Sequence, residues 1–64
     1  MKYPDIKVRL SGKDGNAFVV LGTVCYAMRK AKVPTEEVTQ FINEATSGDY
    51  DHLLRTCMEW VDVR

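Results

Sequence analysis

A chain of 64 residues can hold one domain at most, and nine basic against nine acidic side chains leave it without net charge. That balance argues against a strongly basic nucleic-acid binder and against an acidic solvating tail. The longest apolar run, Ala17 to Gly22, is far too short to cross a bilayer.

Such a chain buries only about 60% of the surface its unfolded form exposes, so its core needs support from elsewhere. Two cysteines, Cys25 and Cys57, are too few for a secreted disulfide scaffold. Both lie among apolar neighbours and read as reduced core residues. The opening Met1-Lys2-Tyr3-Pro4-Asp5 does not resemble a secretory leader. A cytoplasmic, reducing setting is expected, with no membrane association. With His52 the sole histidine and no Cys-x-x-Cys pair, no metal or other cofactor is expected. Oligomerisation and tight helix packing remain as sources of stability, and a homodimer is the expected state.

In chain order, Ile6, Val8 and Leu10 alternate with Lys7 and Arg9, the period of a half-buried strand with its charges in water. Pro4 suits the start of an edge strand, and the turn formers from Ser11 to Asn16 end it. The next segment has two readings. Asp14-Gly15 and Ala17–Leu21 fit a hairpin turn and second strand, whereas Asn16 fits the N-cap of a helix reaching about Lys32. Phe18, Leu21, Cys25 and Met28 fall at helical spacing, widened by Val20, Val24, Ala27 and Ala31, which favours the helix. Gly22 would weaken that helix unless a second element approaches closely there. Pro34 fits the first turn of a second helix carrying Val38, Phe41, Ile42 and Ala45 on one face. Ser47-Gly48 would end it, with Gly48 a natural left-handed residue. Asp49 can cap a third helix whose inner face holds Tyr50, Leu53, Leu54, Cys57 and Val61. Val61 and Val63 alternate with polar neighbours and can peel off as a short strand pairing with the first. The alternative partner for that strand is a second copy.

The strings Lys2-Tyr3-Pro4-Asp5-Ile6, Asp14-Gly15-Asn16-Ala17-Phe18 and Ser47-Gly48-Asp49-Tyr50-Asp51-His52-Leu53-Leu54 resemble a family of short bacterial and phage-type proteins with no assigned activity. The resemblance spans nearly the whole chain. It implies a bacterial or mobile-element origin and a cytoplasmic location, and it transfers no functional residues.

Chemistry-bearing constellations are sparse. His52 and Cys57 are five residues apart, which on one helix points them about 140° away from each other, so they cannot form a thiol–imidazole couple. Asp49 and Asp51 place His52 in the first turn of a helix near capping carboxylates. Glu36, Glu37, Glu44, Asp49 and Asp51 lack the alternating ligands of a calcium loop, and Gly12-Lys13-Asp14-Gly15 lacks the spacing of a phosphate-binding loop. No catalytic residue is assigned, and the chain is read as a non-enzyme.

The distribution of charge is more informative. Residues 1–33 hold seven basic and two acidic side chains, and residues 34–64 hold two basic and seven acidic. Lys7, Arg9, Lys13, Arg29, Lys30 and Lys32 could form a basic surface that attracts a phosphate backbone. However, Arg29, Lys30 and Lys32 in the last turn of the first helix, and Glu36, Glu37, Asp49 and Asp51 in first turns, all complement helix dipoles, which explains much of the split without any ligand. Tyr3, Tyr26 and Trp60 are candidate interface anchors, since aromatic residues dominate binding energy at interfaces. The lone tryptophan of a small domain is, however, more often part of its core.

The expected fold is a single α+β domain over residues 1–64, with an N-terminal strand, three helices and a short C-terminal strand completing a small two-stranded sheet. Ile6, Val8, Leu10, Phe18, Leu21, Val38, Phe41, Ile42, Leu53, Leu54 and Trp60 are its expected core. The expected function is a non-enzymatic protein-interaction module, a homodimeric accessory protein. The alternative is weak nucleic-acid binding through the basic strand and the end of the first helix.

Overall fold

The computed structural model describes residues 2–10 and 16–64. The elements run β1 (Tyr3–Val8), α1 (Ala17–Lys30), α2 (Thr35–Ala45), α3 (Tyr50–Trp60) and β2 (Val61–Val63). This is the expected α+β architecture, and the segment from Ala17 to Leu21 is helical. The turn expected from Ser11 onward lies, as far as Gly15, outside the described residues.

β1 and β2 pair in parallel, with Tyr3 opposite Val61, Lys7 opposite Asp62 and Val8 opposite Val63. A parallel pair needs a long crossover, and here the three helices supply it. The register slips between Tyr3 and Lys7, across the stretch containing Pro4, which has no N–H to give to a ladder. Backbone bonds from Lys2 N–H to the Glu59 carbonyl, from Arg64 N–H to the Val8 carbonyl and from Leu10 N–H to the Arg64 carbonyl extend the pairing at both ends.

The helix starts follow the sequence. Asn16 Oδ1 accepts from Phe18 N–H at 2.9 Å and Asp49 Oδ1 accepts from His52 N–H at 2.9 Å, each satisfying an N–H left without a helical partner. Pro34 stands one residue earlier than expected, as the N-cap of α2, where its carbonyl accepts from Glu37 and Val38. The helix ends differ from expectation. α1 stops at Lys30, and Lys32 takes the left-handed backbone conformation (φ 65°). Lys32 N–H then reaches the Arg29 carbonyl and Val33 N–H the Met28 carbonyl, both at 3.0 Å, the double bond of a Schellman ending. Gly48 is not left-handed. Its role is steric: a Cβ there would lie 2.7 Å from Cγ of His52.

The core gathers Val20, Val24 and Met28 of α1, Val38, Phe41 and Ala45 of α2, Leu53, Cys57 and Trp60 of α3, and the strand residues Val8 and Val61. Phe41 meets Trp60 edge to face with centroids 5.6 Å apart, and Tyr3 stacks on Trp60 at 6.3 Å. Ile6, Leu10, Leu21, Ile42 and Leu54 pack against this cluster half-buried. Phe18 does not join it. That expected core residue is 83% exposed, because α1 is apolar around most of its circumference and the face turned inward is centred on Val20, Val24 and Met28.

No helix among the described residues is long and apolar enough to cross a membrane.

Candidate interaction site

The helix α1 carries no charged side chain from Ala17 to Met28. A helix that is apolar all round normally has packing on every side. Here one side has none among the described residues: Phe18 is 83%, Tyr26 68% and Val19 50% exposed, and Gly22 between them is exposed as well. These residues sit at positions i, i+1, i+4 and i+8 of one helical face. Gly22 costs the helix about 1 kcal/mol relative to alanine, and among the described residues nothing beyond its own helix backbone and chain neighbours comes within 4 Å of the place its Cβ would occupy. Among the described residues, no other element makes the close approach that Gly22 would allow.

At its N-terminal end this face borders an apolar groove of about 230 Å³ between α1 and the α2–α3 turn. Phe18, Leu21, Tyr50 and Leu53 form its walls, with Ala45 and Gly48 also contributing. Pockets for small organic ligands run to roughly 300–1,000 Å³, so the volume fits an inserted side chain better than a free ligand.

A second groove, of about 240 Å³, lies between β1 and the end of α1, lined by Asp5, Ile6, Lys7, Ala27, Lys30 and Ala31. It brings together Lys7 and Lys30, two of the six basic residues singled out by the sequence. Arg29 and Lys32 lie exposed at the same helix end and Arg9 lies exposed just beyond β1; Lys13 is outside the described residues. The ion pairs found among the described residues, Lys2–Glu37 at 3.9 Å and Asp62–Arg64 at 3.4 Å, involve none of these cations. Asp5 and the negative end of the α1 dipole share the same region and weaken its pull on anions.

The three expected aromatic anchors separate. Tyr26 is exposed on the apolar face of α1. Trp60 is only 3% exposed, covered by Tyr3, Phe41 and Lys2, and so presents almost no surface to a partner. Tyr3 lies beside it, its hydroxyl donating to Glu37 Oε1 while Lys2 Nζ sits 4.3 Å from the Trp60 ring centroid. The Glu37 bond, with burial behind it, holds the Tyr3 hydroxyl above its ordinary pKa.

His52 serves the fold. Its Nε2 lies 2.8 Å from the Glu44 carbonyl oxygen and 3.1 Å from Ser47 Oγ. A carbonyl only accepts, so Nε2 carries the proton, and the ring closes the last turn of α2. Cys57 is fully buried, and desolvation raises its pKa to about 11, the nearby Cys25 adding to the shift. Burial also raises Cys25, against the opposing pull of Arg29. Thiols so shifted are protonated near neutral pH and poor nucleophiles. Among the described residues no three His, Cys, Asp or Glu side chains come together as metal ligands.

Sequence reasoning missed Phe18 and Val19 as surface residues. The available signal was the uncharged stretch itself: a helix in so small a domain cannot bury every side.

The chain matches no protein-family model, no curated protein and no solved structure, so the resemblance to short bacterial and phage-type proteins carries no argument from here on.

Proposed function

We propose that this chain is a non-enzymatic interaction module that self-associates through the outer face of α1. The observation that carries this reading is the exposure of Phe18, Val19 and Tyr26 on a helix without charge over its first three turns. Exposed apolar patches rimmed by polar residues mark interaction sites, and a chain of 64 residues gains from a partner the burial its own core lacks. Raised thiol pKa values and a histidine committed to a helix end support a role without catalysis, and two shielded thiols fit a reducing, cytoplasmic setting.

Sedimentation equilibrium tests the proposal. The wild-type chain should form a dimer in the micromolar range, and Phe18→Asp should return it to monomer with its circular dichroism unchanged. A wild-type chain still monomeric at several hundred micromolar would sink the reading.

The convergence of Lys7 and Lys30 on one groove favours a second reading, weak binding of a nucleic-acid backbone. Anisotropy with labelled duplex DNA and single-stranded RNA decides it. Affinity that falls steeply with salt and drops in Lys7→Gln and Lys30→Gln supports it; no binding at low salt leaves those charges as dipole partners.

A further inference from the structure

The geometry points to a second copy of this chain as the occupant of the exposed α1 face, with two α1 helices crossing antiparallel at Gly22; this inference rests on the self-association proposed above. Three observations combine. Gly22 lies mid-helix on the exposed face and carries a helix-propensity cost, and among the described residues no other element comes within 4 Å of the place its Cβ would occupy. A missing side chain at a helix contact lets a second helix axis come closer. Phe18 stands four residues before Gly22 and Tyr26 four residues after it, both exposed.

That spacing makes the face complementary to itself. In a two-fold pair, residue i meets residue j of the other copy and j meets i. With the axis at Gly22, an antiparallel crossing lays Phe18 of each copy against Tyr26 of the other and gives two identical aromatic pairs. A parallel crossing would instead set Arg29 and Lys30 against their own copies, like charge on like charge. The antiparallel arrangement sends these cations to opposite ends, and the uncharged stretch from Ala17 to Met28 is left along the contact. A helix of 14 residues is about 21 Å long, so the crossing itself covers a short contact. The neighbouring groove walled by Leu21, Tyr50 and Leu53 adjoins it and enlarges the buried surface.

Gly22→Ala and Gly22→Leu separate this geometry from general stickiness. Both residues favour helix more than glycine does, so both variants should melt at higher temperature than wild type at concentrations where each is monomeric. The expected result for association is the reverse: a dimer dissociation constant raised several-fold by alanine and at least about tenfold by leucine. If the face is used without close approach at Gly22, the added apolar surface of leucine will leave the dimer unchanged or tighten it. Either result would overturn the crossing while the self-association itself stands. A wild-type chain that never dimerises would remove both.

Discussion

At Gly48 the constraint is a side chain and not a dihedral angle. The His52 ring passes so close that a methyl group at Gly48 would overlap its Cγ, Cβ and Cδ2, all under 3.0 Å. The ring cannot step aside freely, because Nε2 donates to the Glu44 carbonyl. Gly48→Ala should therefore cost about 1–3 kcal/mol, read as a lowered melting temperature. A neutral result would show that the ring can swing out at no cost. Lys32 presents the opposite case. It holds a left-handed backbone that disfavours any residue with a Cβ, while its charge suits the end of α1. Lys32→Gly should raise stability by about 0.5–1 kcal/mol, several degrees in a domain of this size. A lower melting temperature would mean that attraction of the cation to the helix end outweighs the strain. Phe41, fully buried against Trp60, is the residue the core can least spare: Phe41→Ala should cost on the order of 3–5 kcal/mol.

Between elements, legibility in the sequence followed how one-sided each pattern was. α2 and α3 place apolar residues on one face and charges on the other, so their buried residues Val38, Phe41 and Leu53 could be read directly. α1 could not be oriented this way. Its apolar residues surround it, and the choice of Val20, Val24 and Met28 over Phe18 was made by packing against the sheet and the other helices, which periodicity does not contain. The junction of α3 with β2 was legible only as an alternation at Val61 and Val63. What settles it is the parallel ladder with β1 and the complete burial of Val61. The core between α1 and α3 also sets an alkaline limit. Cys57 is raised from the ordinary thiol value of 9.0 to about 11, so between these values the unfolded chain has lost a proton that the folded chain retains. Stability from this group is full below pH 9 and declines as pH climbs toward 11. Denaturation across this range should show that decline, and Cys57→Ala should flatten it at the expense of a small cavity. An unchanged slope would assign the effect to Cys25 or Tyr3, whose groups are also raised.

For the molecule as a whole, part of the split between a basic first half and an acidic second half lies at helix ends. Arg29 and Lys30 occupy the last turn of α1, Glu36 and Glu37 the first turn of α2, and Asp49 and Asp51 the start of α3. Lys7 and Lys30, which the sequence offered as parts of one basic surface, line the same groove because β1 lies beside the end of α1, and Lys2 pairs with Glu37 across the chain. The same placement of β1 has a mechanical consequence. β1 and β2 run in the same direction at the two ends of the described chain. Tension applied at Lys2 and Arg64 therefore slides one strand along the other and strains their hydrogen bonds together. Tension applied at Lys2 and Val61, at one end of the sheet, opens the same bonds in succession. Stretched from its ends, this small domain should resist as a clasp, and it should yield at much lower force when peeled from one side.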